Sequence, residues 1–128
     1  MAKDEGSPVL KPLEWLGSSR DAMIGFASPV RKALGYALYL AQAGQKAPAA
    51  KPLKGFGGAG VLEVVADHDG NAFRAVYTVK FAEAVYVLHA FQKKSKRGKA
   101  TPLPELKLIR HRLQLAAEHY QRHYENKP

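Results

Sequence analysis

Residues 61–92 read VLEVVADHDGNAFRAVYTVKFAEAVYVLHAFQ, and this stretch decides the fold. Apolar and β-branched residues at 61–67 predict a strand, and the polar run at 68–71 predicts a turn around Gly70. Residues 73–81 then alternate apolar with polar side chains, which places Arg74, Thr78 and Lys80 on the face opposite the aromatic residues. The pattern therefore predicts a three-stranded antiparallel meander.

The third strand of this meander, residues 84–91, is apolar on both faces. Such a strand is typical of the centre of a sheet that is covered on both sides. Strict alternation divides its side chains into two sets, namely Val85, Val87, His89 and Phe91 on one face and Tyr86, Leu88 and Ala90 on the other.

Helices are predicted both before and after the meander along the chain. Ser28 and Pro29 form a helix start, apolar residues recur at helical spacing up to residue 41, and Gly44 is placed to end the helix. A shorter helix starts at Ser18 or Ser19, and residues 9–16 predict a strand that Pro12 confines to a sheet edge. Residues 101–124 predict a C-terminal amphipathic helix, and the Gly- and Pro-rich residues 45–60 predict a loop without regular structure.

The length of 128 residues favours one domain over residues 1–128, with residues 1–8 as a disordered tail. The absence of cysteine excludes a disulfide framework and thiolate metal sites. Since no segment has the apolar length of a membrane span or the core of a secretory signal, we expect a cytoplasmic protein.

The charge is strongly positive, because 20 Lys and Arg against 11 Asp and Glu leave a formal net charge of +9. Most of the excess lies in residues 92–112, where eight basic residues minus the single acid Glu105 give +7. Such a cluster favours a polyanionic partner through counterion release, although a merely solvated basic loop stays open. The basic residues of the cluster are Lys93, Lys94, Lys96, Arg97, Lys99, Lys107, Arg110 and Arg112.

Motifs for cofactors and metals are sparse. No paired-carboxylate site, Ser/His/Asp arrangement or Walker loop is present. His119 and His123 are four residues apart and could share one helix face, but the sequence offers no third metal ligand nearby. We therefore expect neither a metal nor a cofactor.

Four segments taken in order resemble the RelE/HigB-type toxins, in the branch of that RelE/ParE superfamily described as phage-derived proteins. They are KPLKGF at 51–56, VLEV at 61–64, RAVY at 74–77 and VLHAFQKKS at 87–95, and the resemblance spans roughly residues 11–115. It implies an α+β fold with an N-terminal helical hairpin packed on a small twisted antiparallel sheet, followed by a C-terminal helix. It also implies a toxin of a type II toxin-antitoxin system, a ribosome-dependent mRNA endoribonuclease that needs no metal and is neutralised by a helix-turn-helix antitoxin.

The resemblance also implies a set of site residues. Lys54, Arg74, Lys93 and Lys94 would converge on the scissile phosphate, and Arg74 leads because a guanidinium on a rigid strand can bind phosphate oxygens bidentately. The general acid and base stay open among His89, Tyr77 and Glu63. The remaining basic candidates for RNA binding are Lys51, Lys96, Arg97, Lys99, Lys107 and Arg110.

Two other functions remain open at this stage. Part of the superfamily inhibits DNA gyrase without cutting RNA, so the fold alone does not decide the activity. A non-catalytic RNA-binding or phage accessory module would account equally for the basic charge.

Overall fold

A computed structural model of the chain describes residues 9–58, 60–93 and 100–125. The N-terminal residues 1–8 and the basic residues 94–99 lie outside this description. The elements are β1 (Leu13–Trp15), α1 (Ser19–Ile24), α2 (Ser28–Gln42), β2 (Lys51–Pro52), β3 (Val61–His68), β4 (Asn71–Thr78), β5 (Val85–Lys93) and α3 (Leu103–Tyr120), which continues into a π-helical turn at Gln121–Glu125.

The strands form one five-stranded sheet in the order β1-β5-β4-β3-β2. The antiparallel meander β3-β4-β5 confirms the prediction from residues 61–92. β1 lies at one edge of the sheet, as predicted, and is parallel to β5, but it covers only Leu13–Trp15 of the predicted residues 9–16 and starts after Pro12. β4 ends at Thr78 instead of residue 81, because the Thr78 hydroxyl donates to the Gly60 carbonyl at 2.6 Å and accepts from the Lys80 amide at 3.1 Å, which turns the chain.

The predicted N-terminal helical hairpin is present and covers one face of the sheet. α2 begins with Pro29 in its first turn, and Gly44 follows its end with a φ of +81°. α1 is tied to β5 by a hydrogen bond from the Ser19 hydroxyl to the Val87 carbonyl at 3.3 Å. The core between this hairpin and the sheet includes Val30, Leu34, Leu38, Leu62, Val64, Phe73, Ala75, Val85, Val87 and Ala90.

α3 covers the opposite face, which we call the α3 face. Its apolar stripe buries Ile109, Ala116 and Tyr120 against the sheet. Because both faces are covered, β5 is buried along almost its whole length, as its sequence predicted. The partners of α3 in this second core include Leu53, Val61, Val76, Tyr86, Leu88 and Phe91. Within the described residues, no helix combines the length and apolar character needed to cross a membrane.

The prediction that residues 45–60 lack regular structure is wrong in part. Lys51 and Pro52 pair with Glu63 and Leu62 as the edge strand β2, and the Leu53 amide extends this pairing to the Val61 carbonyl at 2.9 Å. A strand of two residues shows no alternation, and Pro52 weighs against a strand by composition. The pairing is nevertheless possible because a proline fits an edge strand.

The prediction of strict alternation along the last strand is also wrong. Val76 pairs with His89 and Tyr77 pairs with Val87, so Leu88 is an extra residue that forms a β-bulge. Beyond the bulge, Ala90 faces α2 and Phe91 faces α3. The bulge therefore moves His89 and Phe91 away from the face of Val85 and Val87 and onto the α3 face, where their rings stack 4.7 Å apart.

Candidate functional site

A row of paired residues crosses four strands on the α3 face. Lys51 on β2 is opposite Glu63 on β3, Glu63 is opposite Val76 on β4, and Val76 is opposite His89 on β5. Neighbouring strands lie roughly 4.8 Å apart, so the Cα atoms of Glu63 and His89 are separated by about 10 Å. Two of the three predicted acid and base candidates therefore lie in one row.

Glu63 occupies a polar network inside this row. Its Oε2 atom lies 3.0 Å from Arg74 Nη1 and accepts a hydrogen bond of 2.6 Å from the Thr101 hydroxyl. Thr101 precedes α3, so the start of this helix is joined to the sheet through the carboxylate. The network fixes Glu63 in one orientation.

Arg74 is 5% exposed, and its Nε atom finds no partner among the described residues. The sequence led us to expect an open guanidinium that binds a phosphate bidentately. The structure instead gives a buried one that pairs with Glu63, because α3 covers this face of the sheet. In this arrangement Arg74 holds the carboxylate of Glu63.

His89 is held between two side chains of α3. Its Nε2 atom lies 2.6 Å from Glu105 Oε1, and its Nδ1 atom lies 3.4 Å from Arg112 Nη1. Since a guanidinium only donates, Nδ1 accepts and the proton of the neutral ring is on Nε2, directed at Glu105. Burial lowers the pKa of His89 below its usual value near 6.5; the hydrogen bond and charge of Glu105 oppose this effect, and Arg112 reinforces it.

Arg112 reaches His89 through a gap that a glycine leaves open. Arg112 Nη1 donates to the Leu88 carbonyl at 3.0 Å, and a Cβ atom at Gly17 would lie 2.6 Å from Arg112 Nη2. Gly17 also has a φ of +55°, which favours glycine. The position of the Arg112 guanidinium against this turn therefore depends on Gly17.

A pocket of about 280 Å3 opens beside Glu63. Lys51 and Lys54 are exposed at its rim, and apolar side chains form much of its wall. A carboxylate that can accept a proton thus lies next to two ammonium groups that can neutralise a bound anion. The lining residues are Lys51, Pro52, Leu53, Lys54, Glu63, Ala100, Thr101 and Leu106.

The remaining predicted site residues differ in burial and in position. Lys93 pairs with Ala72 and therefore lies on the same face as Arg74; it is buried, and its Nζ atom donates to the Ala100 carbonyl at 2.8 Å. Lys107 and Arg110 are exposed on α3. Lys94, Lys96, Arg97 and Lys99 lie outside the described residues.

The structure does not bring Tyr77 to this site. Tyr77 is fully buried on the opposite face, in the core beneath α2. Its hydroxyl has no partner among the described residues, and burial raises its pKa to about 12. Alternation along β4 separates it from Arg74.

Three residues of the site were missed from the sequence, namely Thr101, Glu105 and Arg112. Their contacts with Glu63 and His89 depend on how α3 docks, which no sequence spacing indicates. One signal was available for Glu105, because it is the single acid in the basic residues 92–112. A carboxylate in that position can accept a hydrogen bond from a nearby donor, and Glu105 accepts one from His89.

Metal ligands do not converge at this row. Across residues 9–58, 60–93 and 100–125, no group of three or more His, Asp or Glu side chains is arranged to hold a metal ion. The rings of His119 and His123 stack 4.0 Å apart at the other end of α3, where His119 Nδ1 lies 2.7 Å from the Tyr86 hydroxyl.

Comparison with solved structures defines the class of fold. The free E. coli toxin RelE, in a double arginine-to-alanine mutant, matches with a TM-score of 0.56 at 18% identity, covering 82% of this chain and 99% of that one. The chain therefore has the RelE fold, as the resemblance implied. The toxin-antitoxin complex RelBE2 from Mycobacterium tuberculosis gives a TM-score of 0.45 at 15% identity, covering 68% of this chain and 95% of that one.

The family follows from the sequence. The profile of the family described as "Phage derived protein Gp49-like (DUF891)" matches residues 22–114, and the chain belongs to this family. No protein with a curated description matches the sequence.

Proposed function

We propose that this chain is the toxin of a type II toxin-antitoxin system and that it cuts mRNA on the ribosome without a metal ion. The observation that supports this proposal is the position of Glu63, which lies in a pocket rimmed by Lys51 and Lys54. The same row of the sheet carries His89. The RelE fold and the net charge of +9 agree with an RNA substrate.

The reaction uses the ribose 2′-hydroxyl as the nucleophile. Glu63 accepts the hydroxyl proton while the 2′-oxygen bonds to the adjacent phosphorus, and the bond to the 5′-oxygen breaks. The products are a 2′,3′-cyclic phosphate and a 5′-hydroxyl end. Lys51 and Lys54 neutralise the charge that develops on the phosphate oxygens.

The leaving 5′-oxygen needs a proton, and we assign His89 as its donor. Glu105 and Arg112 fix the ring so that Nε2 carries the proton. Donation requires the imidazolium, so His89 takes up a second proton at Nδ1 in place of the Arg112 contact. Nε2 is then released from Glu105 and passes its proton to the 5′-oxygen, which leaves a neutral ring protonated at Nδ1. Arg74 contributes by holding Glu63, and Lys93 supplies positive charge on the same face.

The partners follow from the charge and the proposed chemistry. We propose that ribosomal RNA and mRNA bind the basic surface in the cytoplasm, that residues 1–128 act as one toxin domain, and that a cognate helix-turn-helix antitoxin neutralises it. A chain with this positive excess favours an antitoxin segment rich in acidic residues.

Induced expression tests the proposal directly. We expect growth arrest, with new 5′ ends inside coding regions when transcripts are mapped. Glu63→Gln removes the base while keeping the shape, and should abolish both effects. Glu118→Gln is the matched control, because Glu118 is exposed on α3 and should leave toxicity unchanged.

Comparing cleavage of a defined mRNA bound to purified ribosomes with cleavage of the same mRNA in solution tests whether the reaction requires the ribosome. Cleavage that requires the ribosome supports the proposal, and equal cleavage of free mRNA would contradict the ribosome dependence. Growth arrest with intact transcripts and DNA-damage signalling would instead identify an inhibitor of DNA gyrase.

A further inference from the structure

The guanidinium of Arg110 lies over the ring of Phe56 at the surface of the α3 face. The guanidinium carbon of Arg110 lies 4.5 Å from the centroid of the Phe56 ring. Its Nη2 atom donates to the Gly55 carbonyl at 3.2 Å. These two contacts orient the guanidinium plane, while the exposure of Arg110 leaves its outer side open to solvent.

The charge of Arg110 is not neutralised within the described part of the chain. No carboxylate there lies within ion-pair distance of its guanidinium, in contrast to Arg74, which pairs with Glu63. A cation held by a ring and a carbonyl keeps its full positive charge. A preoriented planar cation suits a flat, electron-rich ligand.

The contact between Arg110 and Phe56 adjoins the pocket. Arg110 follows the pocket residue Leu106 by one helical turn, and Gly55 follows the rim residue Lys54. Gly55 has a φ of +92°, so the chain turns here in a conformation that glycine favours. A strand whose phosphate lies between Lys51 and Lys54 therefore has a neighbouring base within reach of Arg110.

We propose that Arg110 and Phe56 form a stacking platform for an unpaired nucleobase next to the linkage held in the pocket. The ligand class is single-stranded RNA, and this inference rests on the proposed function because it takes RNA as the substrate. Guanidinium planes and aromatic rings are the surfaces on which proteins stack splayed-out RNA bases. Such stacking adds affinity that does not depend on phosphate contacts.

Binding of two RNA oligomers tests the platform. One is a single-stranded hexamer made uncleavable by 2′-deoxy sugars at the pocket linkage, and the other is the same hexamer with abasic sites. Arg110→Lys keeps the charge and removes the plane, so it should weaken binding of the intact hexamer by about tenfold. It should leave the affinity for the abasic hexamer and the salt slope unchanged.

Phe56→Leu should reproduce the loss seen for Arg110→Lys, because the guanidinium then lacks its support. Lys107→Ala is the control for a neighbouring exposed cation and should weaken both hexamers equally. If Arg110→Lys binds both hexamers as the wild type does, Arg110 is only a phosphate contact and the platform is refuted. Tighter binding of an all-deoxyribose hexamer would refute the assignment to RNA.

The two proposals fail in different ways. Base-dependent binding without any cut mRNA would remove the nuclease and keep the platform. Cleavage with no difference between the intact and abasic hexamers would keep the nuclease and remove the platform. Failure of the wild type to bind either hexamer would overturn the platform.

Discussion

His89 Nε2 and Glu105 Oε1 lie 2.6 Å apart, which ties the interior strand β5 to the first turn of α3. The contact does not restore an ordinary pKa to the imidazole, since burial lowers the pKa of His89 more than Glu105 raises it. The folded chain therefore binds this proton at lower pH than the unfolded chain does. The associated stability is present above the unfolded pKa near 6.5 and is lost as the pH falls from there toward the folded value.

We expect urea denaturation of the wild type to show a falling free energy of unfolding between pH 8 and pH 5. His89→Gln should lose less stability over this range, because the titrating group is gone. His111→Gln serves as the control, since His111 is exposed on the same helix and its removal should leave the wild-type pH slope. A slope for His89→Gln equal to that of the wild type would contradict the assignment.

Arg74 and Glu63 should be coupled in stability as well as in activity. Breaking a buried ion pair from one side leaves an uncompensated charge, so Arg74→Met should lower the free energy of unfolding by about 3 kcal/mol. The double variant Arg74→Met/Glu63→Gln removes both charges and should recover much of that loss. Urea denaturation of both single variants and the double variant measures the coupling.

An open Arg74 that binds a phosphate, as the sequence led us to expect, could be replaced by alanine without loss of the fold. The buried ion pair predicts instead that Arg74→Ala lowers the free energy of unfolding. A loss of activity in that variant is therefore interpreted only together with a measurement of its stability. Additive effects in the cycle would show that the pair contributes no coupling energy.

The elements that could be predicted from the sequence are those with local signals. The meander follows from alternation and from a turn at Gly70, and α2 follows from periodic apolar residues between Pro29 and Gly44. The β-bulge at Leu88 could not be predicted, because Leu88 and Ala90 are both apolar and a shift of one residue keeps the pattern. That shift decides the face on which His89 lies.

The site was predictable only in part, for the same reason. Glu63, His89 and Lys54 were candidates because the resemblance to the RelE/HigB-type toxins implied them, and Lys51 was a candidate for RNA binding. Thr101 and Glu105 complete their hydrogen bonds from 38 and 16 residues away, and these contacts exist only after α3 docks. Strand alternation did separate Arg74 from Tyr77, and coordinates were needed to show which face α3 covers.

Tyr77 offers a test of the division between the two faces. Its buried hydroxyl has no partner in the described part of the chain, so Tyr77→Phe should leave the free energy of unfolding unchanged or raise it by about 1 kcal/mol. Toxicity should be unchanged as well, because the side chain lies in the core beneath α2. Thermal and urea denaturation, with the growth assay, check both expectations.

Tyr120→Phe is the matched comparison for that variant. The Tyr120 hydroxyl accepts a hydrogen bond of 3.1 Å from the Glu83 amide, so its removal should cost about 1 kcal/mol. If Tyr77→Phe lowers the free energy of unfolding by the same amount, the Tyr77 hydroxyl makes a hydrogen bond and the expectation for Tyr77 is wrong.

Lys51 and Lys54 should control the salt dependence of RNA binding, because they are exposed at the rim of the pocket beside Glu63. Each phosphate contact on a single strand contributes about 0.7 to the slope of log affinity against log salt, so Lys51→Ala/Lys54→Ala should reduce that slope by about 1.4. Lys32→Ala/Lys46→Ala removes the same charge from exposed positions outside the pocket and should change the slope much less. Fluorescence anisotropy of a labelled single strand across several salt concentrations measures both. Equal slopes for the two double variants would mean that RNA responds to the net charge of the chain and not to this pocket.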